Sequence, residues 1–390
     1  MLIGCKTSIF KSIRGIDTIP QSFYNQGSFI LPYLTDTVKI DFEYRLPIAI
    51  VNINGKPYRF LMDTGALTVI SHEIYKELGL EESYRGYFND INHRSKLTSY
   101  TVIPTLKISN TTFNDIGAVV LDISKPLSCF YDGIIGANLM AKLYWKFDYQ
   151  NEIAIVSENW SEIEINDPDH VWSFLTNNQQ TPYINGGLLQ ARGLFMFDTG
   201  ASHGIEVTNH YDFYKSKVDS SKFITRMGIH SFGLYGPGNE LKSFIMETDV
   251  IIAEDTLENI IVSGGAKTLI GNDFLKDYLF TIDWIDQNIT LKKNQHKEIS
   301  RQNLYEGFGY TAYFINDKLR VISLIEEANL PLALGDEILR INQTDFSAKK
   351  VVDICDFIIV GEQSDLSKKN ITVVRNNDTL SFSLGKQLFF

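Results

Sequence analysis

The sequence predicts a mainly β protein: two homologous β lobes made from one duplicated unit, followed by a separate small β-rich domain. Three observations carry this expectation. Asp63-Thr64-Gly65-Ala66 returns as Asp198-Thr199-Gly200-Ala201, 135 residues on (63 to 198). The same separation relates Pro47 to Pro182, Phe60 to Phe195, Ile70 to Ile205, Ile135-Gly136 to Ile270-Gly271 and Asp148 to Asp283, so a whole unit is repeated and not a tetrapeptide alone. Apolar and polar residues alternate around each copy as they do in half-buried strands, and from about Asn303 the pattern changes with no third copy.

The expected organisation is an N-terminal tail over 1–38, a first lobe over 39–156, a polar connection without clear period over 157–180, a second lobe over 181–298 and a C-terminal domain over 303–390. In the first lobe Ile40, Phe42 and Tyr44, then Ile48, Ile50 and Ile53, mark strands. Asn54-Gly55 is a hairpin signal, and Tyr58-Arg59-Phe60-Leu61-Met62 is the returning strand that runs into the first Asp-Thr-Gly. Ser71 is placed to cap a short helix that buries Ile74 and Leu78 and stops at Gly79. Strand-like stretches follow at 101–103 and 118–121. The second lobe repeats the plan with Pro182-Tyr183-Ile184, a turn at Asn185-Gly186, and Leu194-Phe195-Met196-Phe197 leading into the second Asp-Thr-Gly. In the C-terminal domain Gly307-Phe308-Gly309-Tyr310 opens a strand, 319–325 and 334–342 are further strands, 348–360 is a helix, and a hairpin closes around Asn376-Asn377-Asp378.

Composition narrows the function. A formal charge of -11 gives no basic footprint and excludes nucleic acid as an expected partner. No run approaches the roughly 18 apolar residues that span a bilayer. Cys5, Cys129 and Cys355 are too scattered for a disulfide framework or a metal knuckle. With no His-Glu-x-x-His or Cys-x-x-Cys pattern, no metal and no other cofactor is expected. No serine sits in a Gly-x-Ser-x-Gly elbow, and His203, five residues after Asp198, reads as structural.

The chemistry lies in the repeated tetrapeptide. One Asp-Thr-Gly alone is a common way for a strand to enter a turn. Here each copy has the same apolar entry and is followed 73 residues on (63 to 136, 198 to 271) by an apolar-apolar-Gly, Ile134-Ile135-Gly136 and Leu269-Ile270-Gly271. Over about 40–295 the chain resembles the aspartic proteases of the pepsin and retropepsin superfamily. The resemblance implies that Asp63 and Asp198 face each other over one water, with one carboxyl protonated and the other acting as base. It implies that Thr64 and Thr199 bond across to the opposite loop, that Gly65 and Gly200 let backbone approach the carboxylates, and that Gly136 and Gly271 admit a crossing strand. Ala66 and Ala201 match the retropepsin form; lacking the hydroxyl that would favour a charged carboxylate, they imply a pH optimum less acidic than pepsin's. Substrate would lie under β-hairpin flaps, with tips near 89–94 and 233–239. Because both motifs are on one chain, a monomer is expected. A scaffold that keeps the cleft and binds peptides without cleaving them is the alternative.

Gly307-Phe308-Gly309-Tyr310 with Leu334-Gly335-Asp336-Glu337-Ile338-Leu339-Arg340-Ile341-Asn342 resembles a bacterial PDZ domain. The first motif then corresponds to the loop that holds a peptide C-terminal carboxylate, and a C-terminal peptide ligand would add as a strand beside the helix. The stretch from Glu327 to Gly335 is shorter than in such domains, so a purely structural role is the other reading. Leu2-Ile3-Gly4-Cys5 resembles a lipobox, although only Met1 precedes it. Lipidation at Cys5 implies an extracytoplasmic protein of a Gram-negative bacterium whose membrane anchor is that lipid alone; without it a cytoplasmic protein is expected.

Overall fold

The computed structural model describes residues 16–42, 44–124, 127–294, 306–316, 318–347 and 367–389. The chain is mainly β, as expected. Within the first copy Ile48–Ile53 pairs antiparallel with Lys56–Asp63, which pairs parallel with Gly133–Gly136 so that Asp63 lies beside Gly136. Within the second, Pro182–Leu188 pairs with Ala191–Phe197, which runs parallel to Leu269–Ile270. Ser71 caps the helix His72–Glu77 as its position suggested, its hydroxyl accepting from the Ile74 N–H at 3.2 Å.

An antiparallel sheet underlies both copies. Its strands lie in the order Thr35–Asp41, Ile153–Ser157, Tyr144–Asp148, Tyr278–Asp283, Asn288–Lys293 and His170–Thr176. At its centre Lys146 pairs with Thr281, its own counterpart at the repeat spacing, so the sheet is symmetric about that pair. Trp145, Phe147, Trp172 and Phe280 rise from it into the main core, Phe147 stacked on Phe280 at 5.0 Å. Each aromatic ring buried this way stabilises the fold by about 1.5–3 kcal/mol.

Three expectations are corrected. The tail is structured well before residue 39: Gln21–Asn25 is helical, Ser28–Ile30 pairs with Thr111–Val120, and Thr35–Asp41 belongs to the lower sheet. Phe23 anchors it, buried edge-on against Tyr84 and Tyr100 at 5.5 and 5.9 Å. The supposed connection over 157–180 contains the strand His170–Thr176, in which Trp172 and Phe174 face the core while Val171 and Leu175 face solvent; those two outward apolar residues erased the alternation. Asn185-Gly186 is not a turn. The chain turns at Leu189-Gln190, both at positive φ, which is where the repeat spacing puts Asn54-Gly55. Gly186 lies within the strand because a Cβ there would meet the Ile251 carbonyl at 2.5 Å.

The C-terminal segment has its own apolar core of Phe314, Leu319, Val321, Leu332, Ile338, Phe346, Ile371, Val373 and Leu384. Lys368–Arg375 and Asp378–Gly385 form the expected hairpin, with Asn376 and Asn377 at positive φ. Arg375 donates from Nε and Nη2 to the buried Asp336 carboxylate at 2.7 and 2.6 Å. The expected helix over 348–360, Cys5 and Cys355 lie outside the described residues. Cys129 is disulfide-bonded, which its scattered placement did not suggest.

Candidate active site

Both Asp-Thr-Gly segments end a core strand and turn toward each other. Each aspartate is held first by its own loop: the Gly65 N–H donates to Asp63 Oδ1 at 2.8 Å and the Gly200 N–H to Asp198 Oδ1 at 2.9 Å. The two loops are then joined reciprocally. The Thr64 N–H donates to Thr199 Oγ1 and the Thr199 N–H to Thr64 Oγ1, each at 3.0 Å. The hydroxyls in turn donate onward, Thr64 Oγ1 to the Phe197 carbonyl at 2.5 Å and Thr199 Oγ1 to the Met62 carbonyl at 2.7 Å. Both threonines are fully buried, so these bonds form away from competing water.

Each carboxyl lies against the glycine of the other loop. A Cβ on Gly200 would be 2.2 Å from the Asp63 carboxyl carbon, and one on Gly65 would be 2.7 Å from that of Asp198. Each carboxyl thus stands beside the other loop, and the two groups influence each other's ionisation. Asp63 is held well above the ordinary carboxylate range, by burial first and then by the Asp198 charge. Burial also raises Asp198, against the lowering effects of the Gly200 N–H, the Asp63 carboxyl and the Lys267 charge. The pair therefore keeps a proton at pH values where an isolated aspartate has lost it, and that proton belongs to both groups.

Ala66 and Ala201 follow on the same loops, their carbonyls accepting from the Ala137 and Asn272 N–H groups at 2.9 and 2.8 Å. Gly136 and Gly271 sit where the crossing strands were expected: a Cβ on either would come within 2.4 Å of backbone in the loop after the motif. Gly307, Phe308, Gly309 and Tyr310 are remote in the fold, at the start of the C-terminal segment. There Gly309 has positive φ and its carbonyl accepts from the Ile325 N–H at 2.8 Å.

Several site residues were not foreseen. Asn272 Nδ2 donates to the Thr199 and Arg45 carbonyls, each at 2.7 Å, and its Oδ1 accepts from the Tyr149 hydroxyl at 3.0 Å. In the first copy Asn138 Oδ1 accepts from the Thr68 N–H and hydroxyl at 2.9 and 2.8 Å. The available signal was an asparagine one or two residues after each apolar-apolar-Gly, but the two are out of step by one position. Tyr131 is buried beside the pair, and burial together with both aspartate charges keeps its phenol protonated.

Two hairpins reach over this region and meet. The turn Asp90 to Arg94 joins Tyr84–Asn89 to Ser95–Ile108, and the loop after Phe223–Gly228 contains the short pairs Phe232–Gly233 and Gly236–Pro237. Arg94 donates to the Tyr235 carbonyl at 3.1 Å and to that of Pro237. Asn92 donates to the Gly236 carbonyl at 3.3 Å and accepts from Ser231 at 2.5 Å. The Tyr235 N–H reaches Asp90 at 3.3 Å, and its hydroxyl the Phe88 carbonyl at 3.1 Å. Leu234 and Tyr235 pack on the apolar cluster that contains Phe130 and Tyr131 and is also met by Ala66. A separate cavity of about 300 Å³ at Leu188 to Arg192 and Thr248 to Thr256 shares no residue with the aspartate loops. Among the described residues no cluster of His, Cys, Asp and Glu has the makings of a metal site.

A family model described as Aspartyl protease matches residues 49–139, a span that includes Asp63 and Gly136 and stops before Asp198. No curated protein matches the chain.

Proposed function

We propose that this chain is an aspartic endopeptidase in which two homologous lobes of a single chain share one catalytic pair, Asp63 and Asp198. The observation that carries the reading is the reciprocal loop geometry, which sets each carboxyl against the glycine of the other loop, in a site where desolvation raises the pKa values of both. The family match over 49–139 supports protease chemistry in general. In the proposed reaction the ionised member of the pair takes a proton from water as the water attacks a peptide carbonyl, and the protonated member donates to the developing oxyanion. Gly65 and Gly200 N–H groups hold the carboxyls in place, and Thr64 and Thr199 keep the loops in register. Since Ala66 and Ala201 offer no hydroxyl to favour the charged form, the optimum is expected in weakly acidic solution. The C-terminal segment is read as PDZ-like and peptide-recognising, on the strength of its motifs.

The test is cleavage of a diverse peptide library between about pH 3 and 8, a window around carboxylate-pair behaviour, by the wild type, Asp63→Asn and Asp198→Asn. Turnover in the wild type that falls by about 10²–10⁴-fold or more in both variants fits loss of shared acid–base catalysis. Peptide binding without turnover in the wild type overturns the reading in favour of a scaffold.

A further inference from the structure

The geometry points to a positioning role for the C-terminal segment: it anchors the second covering hairpin, so that closure over the aspartates depends on it. The role in catalysis rests on the protease reading; the anchoring does not. The outer edge of the hairpin strand Phe223–Gly228 is paired by Lys318–Ile325 of the C-terminal segment, with Arg226 opposite Ile325, Met227 opposite Leu324 and Gly228 opposite Ser323. The Ile229 N–H continues the ladder to the Ile322 carbonyl at 2.8 Å. At the root, the Thr225 N–H donates to both carboxylate oxygens of Glu327, at 3.0 and 2.8 Å. Toward the tip, Ser323 Oγ bonds His230 Nδ1 at 3.0 Å, and Phe232 packs on Tyr313 with ring centroids 4.5 Å apart. The joint has its own small core, in which Ile224 and Ile245 meet Ile325 and Ala328.

The anchor thus follows the hairpin arm from base to tip. Leu241–Ile252 pairs with Asp255–Gly265 only from Ile245 on, so without the C-terminal strand the arm beyond that point has two strands, a marginal arrangement that a third strand with an apolar face makes stable. The first hairpin is treated in the same way at the other end of the chain: the Asp17 N–H donates to the Arg85 carbonyl at 2.7 Å, and the Arg85 N–H to Asp17 Oδ2 at 2.8 Å. The joint is also written into one residue. Gly228 has φ near +114°, and a Cβ there would lie 2.0 Å from the Ile322 carbonyl oxygen, so only glycine allows the two backbones this close.

The experiment uses the full chain and two variants, Gly228→Ala and Glu327→Ala, neither of which touches the aspartates. Amide hydrogen exchange over 223–246 and over the C-terminal hairpin 368–385 is read alongside KM and kcat for a cleaved peptide. Loss of hydrogen bonds to a charged group predicts exchange over 223–246 at least about tenfold faster in Glu327→Ala, with 368–385 unchanged. KM should rise several-fold while kcat stays within about twofold, as expected when closure and not chemistry is impaired. Gly228→Ala should show the larger effect of the two. Wild-type protection over 223–246 in both variants overturns the inference, as does loss of protection over 368–385 in both, which would mean general unfolding. A wild type that cleaves no peptide removes the protease reading and leaves the exchange result to decide the anchoring.

Discussion

Thr199→Val removes one hydroxyl from the centre of the site and nearly preserves shape. Two backbone groups are left without it, the Thr64 N–H losing its acceptor at 3.0 Å and the Met62 carbonyl its donor at 2.7 Å, and the longer contact with the Thr64 hydroxyl at 3.5 Å goes as well. Both groups belong to a region closed to water, since Thr64 and Met62 are fully buried. At about 1–3 kcal/mol for each buried polar group left unpaired, the expected cost is about 2–6 kcal/mol. That is a large part of the roughly 5–15 kcal/mol by which domains are stable. Thr64→Val should cost a similar amount, because it removes the mirror-image bonds to the Thr199 N–H and the Phe197 carbonyl. The double variant should cost at least about 1 kcal/mol less than the sum, since once the loops part the second hydroxyl has little left to hold. Urea unfolding followed by the fluorescence of buried Trp145 and Trp172 measures all three, the midpoint moving while the slope is preserved. A single-variant loss below about 1 kcal/mol, or strict additivity, would refute the view that the crossed threonines hold the loops together.

Two further outcomes are expected. Because the folded Asp63 carboxyl binds its proton more tightly than the unfolded chain does, its contribution is fully present below the unfolded value of about 3.9 and is lost as pH rises through the raised folded value. Asp63→Asn should therefore gain stability relative to wild type as pH rises toward 8 and lose that advantage near pH 3 to 4; denaturation across this range checks it, and a variant less stable than wild type at pH 8 contradicts it. Gly200→Ala puts a methyl 2.2 Å from the Asp63 carboxyl carbon, whereas Gly193→Ala meets nothing within 4 Å. The first should lower kcat by about 10²-fold through displacement of the pair and the second should be silent, so equal effects would discount the packing argument.

The aspartate pair was legible because the repeat spacing is a long-range statement: positions 135 apart (63 and 198) are equivalent, and equivalent strand ends meet at an axis. Local patterning carried less. Val171 and Leu175 point to solvent and hid a strand; in the N-terminal stretch Ile19, Phe23 and Tyr24 pack on the first lobe without following one clear period, and that hid another piece of the fold. Asn185-Gly186 has turn composition, yet its glycine answers a packing need within a strand while Leu189-Gln190 makes the turn. Asn138, Asn272 and Tyr131 escaped notice because their partners are backbone groups and carboxyls brought near only by folding. The meeting of Arg94 with Tyr235 and Pro237 joins residues more than 140 positions apart, and no periodicity announces it.

The symmetric sheet beneath both copies has a mechanical consequence. Its strands run without a break from Thr35–Asp41 on one side to His170–Thr176 on the other, and the central pair Tyr144–Asp148 and Tyr278–Asp283 is stitched through four residue pairings with Phe147 stacked on Phe280 across them. To swing the two copies apart at this level would break that ladder and open a packed aromatic layer at once. Any opening over the aspartates is therefore expected on the opposite side, where the two turns meet through polar bonds and the packing of Leu234 and Tyr235 on the apolar cluster. Access is a matter of lifting, with the base acting as a fixed plate.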